Sequence, residues 1–138
     1  MAIKSVDIFA PFAFTTTEYG QINIFDMKNS KPMKSLDLKC PIYWLHISTG
    51  TPKKVLDTLE SDDYLQHLKI ITGGLDAHIR HYALKNGMFE HTVNCRSVLT
   101  CVAGSKKSTE ILYIGSRTGN ILKYSPQTKK WTTLFQVS

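Results

Sequence analysis

The sequence predicts an all-β fold built from three consecutive repeats of a four-stranded antiparallel sheet. The first observation is composition: short β-branched and aromatic runs are bounded throughout by Gly, Pro, Asn or Ser. The second is a pattern that is clearest in residues 111–137, which read as strand, tight turn at Thr118-Gly119, strand, polar turn over 125–130, strand. A single such meander cannot bury both of its faces, so it requires similar neighbours.

Two earlier stretches, 12–36 and 68–93, align with this last quarter of the chain. The second and third turns are separated by the roughly 40–45 residues of a four-stranded repeat, and the first interval is longer by about 15 residues. The alignment makes three sets of residues equivalent: Gly20, Ala77 and Gly119 in the first turn, then Ile22, Ile79 and Ile121, and then Phe25, Tyr82 and Tyr124.

These turns divide the single predicted domain, 1–138, into units near 1–38, 39–93 (with an insertion over 49–67) and 94–138. In the first unit the strands are expected over 1–10, 12–16, 21–27 and 33–38, with a polar turn over 28–32. The second unit opens at 41–48, whose counterpart in the third unit is 97–103.

The insertion over 49–67 leaves two alternatives open. Pro52 suits the start of a helix, and Val55, Leu59 and Leu56 would share one face of it, which favours a short helix packed on the rim. The mixture of acidic and basic residues is equally typical of a mobile loop.

Composition indicates one folded intracellular protein, cytoplasmic or nuclear, with no membrane association. The chain has 138 residues, of which 42% are hydrophobic and 20% charged. No apolar run approaches the roughly 18 residues of a membrane helix, and the start lacks a secretory signal. Three cysteines without a CxxC pair predict free, buried or half-buried thiols rather than disulfides or a zinc site.

The repeated unit resembles that of the WD-repeat β-propeller family. Residues 20–26, GQINIFD, follow that family's Gly-x-Ile-x-Ile-Trp-Asp pattern with Phe in place of Trp, and Asp76 occupies the position of its turn aspartate. No unit contains a Trp-Asp dipeptide or an opening Gly-His pair, so the family's full hydrogen-bond network cannot be complete. The resemblance implies three divergent blades and a non-catalytic scaffold or adaptor that presents loops to partner proteins within a multi-subunit complex.

Three blades are too few for a closed propeller, which has about four to eight. The sequence therefore predicts an incomplete ring with two uncovered blade faces. Three explanations are compatible with it: a fragment of a longer propeller, completion by another chain, or two copies joined into six blades.

No catalytic, cofactor or metal site is predicted. His78 and His81 lie three apart on a predicted strand and so point to opposite faces, which argues against a shared metal ion. Gly73-Gly74 lacks the remaining residues of a phosphate-binding loop and reads as a turn or bulge. No serine or threonine lies in a nucleophile-elbow pattern.

Lysines concentrate in the loops predicted for one end of the blades. We call the four strands of each unit a, b, c and d in chain order. Nine of the 17 Lys and Arg residues fall in the a–b or c–d loops: Lys28, Lys31, Lys53, Lys54, Lys85, Lys106, Lys107, Lys129 and Lys130. They are the candidate face for an acidic protein partner or for RNA, as in a ribonucleoprotein or ribosome-assembly particle. Ordinary solubilising charge is the alternative.

Overall fold

A computed structural model describes residues 2–85, 88–107 and 109–136 of the chain. The described residues form three four-stranded antiparallel sheets and two short helices, which confirms the predicted all-β class and the three repeats. The sheets do not close into a ring. The ends of the first and last predicted units, residues 1, 137 and 138, lie outside the described residues.

Each sheet is a simple meander in which consecutive strands pair. The first sheet contains β1 (Ile3–Phe9), β2 (Phe12–Thr17), β3 (Gln21–Asp26) and β4 (Lys31–Asp37). The second contains β5 (Trp44–Thr49), β6 (Leu68–Gly73), β7 (His78–Ala83) and β8 (Met88–Asn94), and the third β9 (Leu99–Gly104), β10 (Leu112–Ser116), β11 (Asn120–Ser125) and β12 (Lys130–Gln136). The first strands β1, β5 and β9 lie side by side, so the sheets fan out from a common axis.

The three aligned turns have the same backbone geometry. Gly20, Ala77 and Gly119 all adopt the left-handed conformation, with φ of 88°, 66° and 87°. Each donates its backbone N–H to the carbonyl three residues earlier, over 3.1 to 3.2 Å. A glycine is required at position 20, since a Cβ there would lie 2.3 Å from the carbonyl oxygen of Cys40. The predicted alignment of the three turns is therefore confirmed.

Two apolar cores join the sheets. The first core, between the first and second sheets, includes Phe14 and Ile24 on one side and Ile47 and Ile70 on the other. The second core, between the second and third sheets, includes Ile71 and Ile79 packed against residues such as Ile114 and Leu122. The second sheet is thus covered on both faces, whereas each outer sheet has a neighbour on one face only.

This arrangement decides which repeat positions are buried. Ile22 and Ile79 are fully buried, but the equivalent Ile121 in the third sheet is 38% exposed. The aromatic position behaves in the opposite way, because Tyr82 and Tyr124 are 8% and 0% exposed and Phe25 in the first sheet is 39% exposed. One member of each set lies on an outer face with no sheet beside it.

The insertion forms two short helices, α1 (Lys53–Leu56) and α2 (Ser61–Leu65), which pack on the first core. Leu56, Tyr64 and Leu65 are buried, which confirms the predicted packed helix and shows that the alternative prediction of a mobile loop was wrong. The predicted helix face was wrong in one respect. Val55 is 42% exposed, whereas Leu56 takes the buried position and Leu59 is half-buried, because α1 ends after one turn.

Smaller differences concern strand ends and cysteines. Pro32, predicted in a turn, lies inside β4, which is tolerated because β4 is an edge strand with an irregular register beside Phe25. Cys95 and Cys40 are buried and half-buried free thiols as predicted, but Cys101 is exposed on the outer face of the third sheet. Neither helix of the described residues is long and apolar enough to cross a membrane.

A buried polar pair also joins the second and third sheets. His81 Nε2 lies 2.5 Å from the hydroxyl of Tyr124, and both side chains are buried. Burial lowers the pKa of His81 to about 4, with nearby Lys129 adding to the effect. Burial also raises the pKa of Tyr124. The folded protein therefore holds His81 as a neutral hydrogen-bonding group and not as a cation.

We expect the free energy of unfolding to decrease as the pH falls from about 6.5 to about 4. In that window the unfolded chain takes up a proton at His81 that the folded chain does not, so acid favours unfolding, and the loss levels off below the folded pKa. His81→Gln keeps a polar group facing Tyr124 but cannot titrate. In urea titrations across this window it should show a shallower pH dependence than the natural chain.

His67→Gln is the matched control, because His67 is an exposed histidine in the insertion. This control should leave the slope unchanged. An equally steep slope in His81→Gln would rule out His81 as its source.

Candidate interaction surfaces

The sheet topology gathers the nine lysines at one end of the fan. Every a–b connection and every c–d turn leaves its sheet at this end, because alternate strands of a meander run in opposite directions. We call it the lysine end. It carries Lys53 and Lys54 on α1, Lys106 and Lys107 between β9 and β10, and Lys28, Lys31, Lys85, Lys129 and Lys130 in or beside the β3–β4, β7–β8 and β11–β12 turns.

The nine lysines are not equally available. Seven are exposed, whereas Lys106 and Lys129 are half-buried. The Nζ of Lys106 forms an ion pair with the carboxylate of Asp7, and that of Lys107 lies 3.9 Å from the carboxylate of Glu110. Lys106 therefore holds the fold together, a role that the sequence pattern did not reveal.

Asp7 connects all three sheets close to the common axis. Its carboxylate accepts the backbone N–H of Ile47 in β5 over 2.7 Å and binds Lys106, which follows β9. A second polar bond holds the same loop, since His46 Nε2 in β5 contacts the carbonyl of Ser105 at 2.8 Å. Burial lowers the pKa of His46, and the nearby Lys106 cation acts in the same direction. These bonds fix the a–b loop of the third sheet against β5.

Acidic side chains at the lysine end partly offset its positive charge. Four lie in the insertion, which carries Asp57, Glu60, Asp62 and Asp63, all exposed. Asp26, in contrast, is buried and shapes the β3–β4 turn by accepting hydrogen bonds from the backbone of Lys28 and from the side chain of Asn29. The Asn29 hydrogen bond is the main cause of a lowered pKa at Asp26.

The turn aspartate suggested by the family resemblance acts locally. Asp76 forms a 2.5 Å ion pair with Arg80 on the adjacent strand, and its carboxylate accepts the backbone N–H of His78. The hydrogen bond and charge of Arg80 lower the pKa of Asp76 against the opposing effect of burial. This pair supports the b–c turn at the end opposite the lysines.

Each outer sheet presents an uncovered apolar face. The outward face of the first sheet contains Val6, Ile8 and Phe25, which are exposed and lie in register across β1, β2 and β3. The outward face of the third sheet contains Cys101, Tyr113, Ile121 and Phe135, again in register across the sheet. The sequence predicted the existence of these two faces, but only the structure shows which residues form them.

A largely apolar groove opens at the lysine end, between the insertion, the loop after β1 and the a–b loop of the third sheet. Its volume is about 520 Å³. The apolar part of its lining is Ile8, Phe9, Ala10, Pro52, Leu56 and Tyr64, and three lysines, Lys53, Lys106 and Lys107, also line it. Neither the groove nor its lining was predicted, because it depends on how the insertion folds back on β1.

The histidines and glycines that the sequence analysis considered for catalysis or metal binding lie in structural positions. His78 is half-buried beside its turn while His81 is buried in the second core, as expected for opposite faces of a strand. Gly73 ends β6 against the indole of Trp44, where a Cβ would lie 2.2 Å from the ring. In the described part of the chain, no group of three or more His, Cys, Asp or Glu side chains is placed to hold a metal ion.

Four-stranded meanders fanned about one axis through their first strands are the architecture of β-propeller blades, and this chain has that fold. It is similar to the crystal structure of the RRP9 WD40 repeats, with a TM-score of 0.70 and 12% sequence identity over 96% of this chain and 38% of that one. It is equally similar to the structure of U3-55K, with a TM-score of 0.70 and 12% identity over 97% of this chain and 39% of that one.

A third similar structure is the computationally designed Ika8 protein, with a TM-score of 0.63 and 15% identity over 97% of this chain and 36% of that one. The chain thus spans less than two fifths of the length of each of these structures. No family model and no curated protein matches the sequence. These similarities identify the fold as WD40-type propeller blades in an arc that does not close.

We expect Asp7→Ala to lower the free energy of unfolding by about 2–3 kcal/mol, because it leaves the buried N–H of Ile47 without an acceptor and Lys106 without a counter-ion. Lys106→Met should cost less, since Asp7 still accepts from Ile47. The midpoint of urea unfolding measures both changes.

The control is Asp37→Ala, an exposed carboxylate whose hydrogen bond is to the nearby backbone of Lys39. It should change stability by no more than about 0.5 kcal/mol. Equal effects of Asp7→Ala and Asp37→Ala would contradict a linking role for Asp7.

Proposed function

We propose that this chain is a non-catalytic protein-interaction scaffold of the WD-repeat type, acting within a multi-subunit complex in the cytoplasm or nucleus. In this proposal its two outward faces are joined by further blades, supplied by more of the same polypeptide or by another chain. The completed framework then presents rigid loops to partner proteins, as loops on a stiff β-scaffold commonly do.

The observation that carries the proposal is the exposure of residues at positions that are buried elsewhere in the repeat. Phe25 and Ile121 are exposed, whereas their equivalents in the adjoining sheets lie in the two cores. The same holds for Val6 and Ile8, which match the buried Leu45 and Ile47 through the shared register of the first two sheets. Residues of the type that dock one sheet on another thus remain available on both outer sheets.

The free energy available from burying these side chains favours a state in which the two outward faces are covered. Burying a side chain such as Phe or Ile contributes roughly 1.5–3 kcal/mol relative to leaving it exposed. Three or four such side chains on each outward face would together stabilise a sheet-to-sheet contact. An apolar face of this kind, framed by unpaired edge strands, is typical of an interaction surface in a folded protein.

We expect the purified chain to be larger than its 15.6 kDa mass in solution, through self-association or a bound partner that co-purifies. Phe25→Glu combined with Ile121→Glu places a charge on each outward face, which opposes burial and should shift the mass toward the monomer. Sedimentation velocity or light scattering measures the change.

Val55→Glu is the matched control, because Val55 is similarly exposed but lies on α1, away from both outward faces. It should leave the assembly unchanged. A natural chain that is a clean monomer and unfolds cooperatively would contradict the proposal that these faces are covered.

A second candidate function is an RNA-associated subunit, as in a ribonucleoprotein or ribosome-assembly particle. The concentration of lysines at one end favours it, since exposed lysines bind phosphates without regard to sequence. The acidic side chains of the insertion weaken this candidate, because they lie at the same end.

RNA binding predicts a steep salt dependence of the affinity for a single-stranded RNA. Glu substitutions at four exposed lysines of the lysine end should weaken binding and reduce the slope of log K against log salt by up to about 3. The four are Lys28, Lys85, Lys107 and Lys130; Lys106 is omitted because it is paired with Asp7. Filter binding at increasing salt tests it.

The control set carries the same charge change away from the lysine end, at Lys4, Lys39, Arg96 and Arg117, all exposed. Affinity that is absent, insensitive to salt or equally reduced by both sets would remove the RNA-binding candidate.

A further inference from the structure

We propose that the apolar groove at the lysine end binds a linear segment of a partner protein, with a bulky apolar side chain in the groove and flanking carboxylates at its lysine rim. The inference rests on the proposed scaffold function and names the chemistry of one partner. With a volume of about 520 Å³, the groove has the size of a typical binding pocket for a few side chains.

The walls of the groove are held in place before any partner binds. The hydroxyl of Tyr64 on α2 donates to the carbonyl of Ala10 over 3.0 Å, which ties the insertion to the loop after β1. The ring of Tyr64 also makes edge contacts with Phe9 and Phe12, at centroid distances of 6.4 and 5.3 Å. A preformed groove reduces the entropy lost on binding.

The loop that enters α1 is fixed as well. Thr51 Oγ1 contacts His67 Nδ1 at 3.0 Å, and Thr49 Oγ1 donates to the carbonyl of His67 over 2.7 Å. These bonds close the base of the insertion beside Pro52 and Leu56. The insertion thus acts as one wall of the groove and not as a flap over it.

The positive charge of the groove lining favours a negatively charged ligand. The described residues that line the groove include three lysines and no carboxylate. Lys106 is engaged by Asp7. Lys53 and Lys107 are exposed, and Lys107 forms only a long, exposed ion pair with Glu110, at 3.9 Å. Two rim cations above an apolar floor favour a ligand that combines an apolar anchor with negative charge.

A protein segment fits this lining better than a nucleic acid does. Recognition of single-stranded nucleic acid relies on exposed aromatic faces on which bases stack. In the groove, Tyr64 is buried with its hydroxyl already bonded, and Phe9 is half-buried against it. The other apolar residues of the lining are aliphatic, with Thr49, Gly50, Thr51 and Thr109 between them, a composition that suits Phe or Leu side chains from a peptide.

The test uses the full chain, in whatever assembly it forms, and a fluorescein-labelled peptide with a central Phe-Leu pair flanked on each side by Asp and Glu. We expect a saturable anisotropy change with this peptide. Replacing the Phe-Leu pair by Ala-Ala, or the acidic residues by Lys, should weaken binding at least about tenfold.

Lys53→Glu combined with Lys107→Glu should likewise weaken the acidic peptide at least about tenfold, because both changes reverse charge at the rim. The matched variant, Lys28→Glu with Lys130→Glu, changes the same net charge at exposed positions of the lysine end outside the groove lining. It should bind as the natural chain does. Circular dichroism melts confirm that each variant is folded.

Several outcomes overturn the proposal: no binding, equal loss in both charge-reversal variants, equal binding of the Lys-flanked or Ala-Ala peptide, or displacement of the peptide by poly-uridine at lower concentration than by unlabelled peptide. The scaffold proposal fails separately, in the mass measurement. Ile121→Glu alone changes the outward face that shares no residue with the groove, so it should lower the mass and leave peptide affinity unchanged. The loss of one property therefore does not imply the loss of the other.

Discussion

A sheet has two faces, and in this molecule only the middle sheet has a neighbour on both. That constraint accounts for most of what the structure shows. The middle sheet is apolar on its two sides, with Ile70 in one core and Ile71 in the other. The outer sheets carry the same kinds of residue on both sides but can bury only one. Their outward faces are therefore left uncovered by the fold itself, and this observation is the basis of the proposed function.

Hydrogen bonds and an ion pair near the axis fix how the sheets are aligned with one another, which apolar packing alone would not determine. Asp7 bonds to β5 and to Lys106, so a single carboxylate joins parts of all three sheets. The His81–Tyr124 pair fixes the second and third sheets farther out. Packed cores specify that sheets associate, whereas directional bonds of this kind specify how they are aligned. The a–b loop of the third sheet, which carries Lys106 and Lys107 at the lysine end, is positioned by the bonds of Asp7 and His46.

The sequence was sufficient for the repeat, because Gly20 and Gly119 mark two left-handed turns and the aligned isoleucine and aromatic positions extend the pattern to Ala77. It was also sufficient to expect uncovered faces, since that follows from counting sheets. It did not show that Phe25 and Ile121 lie on those faces, because which side of a sheet is covered depends on the sheet's place in the fan. The pairing of Asp7 with Lys106 spans 99 positions along the chain, and no local pattern reports such a contact.

The double coverage of the middle sheet also bears on how the molecule opens. Amide hydrogens of β5 and β6 lie between two cores, whereas those of β4 and β12 lie on free edges at the outside of the fan. Exchange with solvent deuterium should accordingly be slowest in the middle and fastest at the two flanks. If further blades join the outward faces, the outer sheets should gain protection and the gradient should flatten, so isotope exchange would report completion of the ring without any knowledge of what completes it.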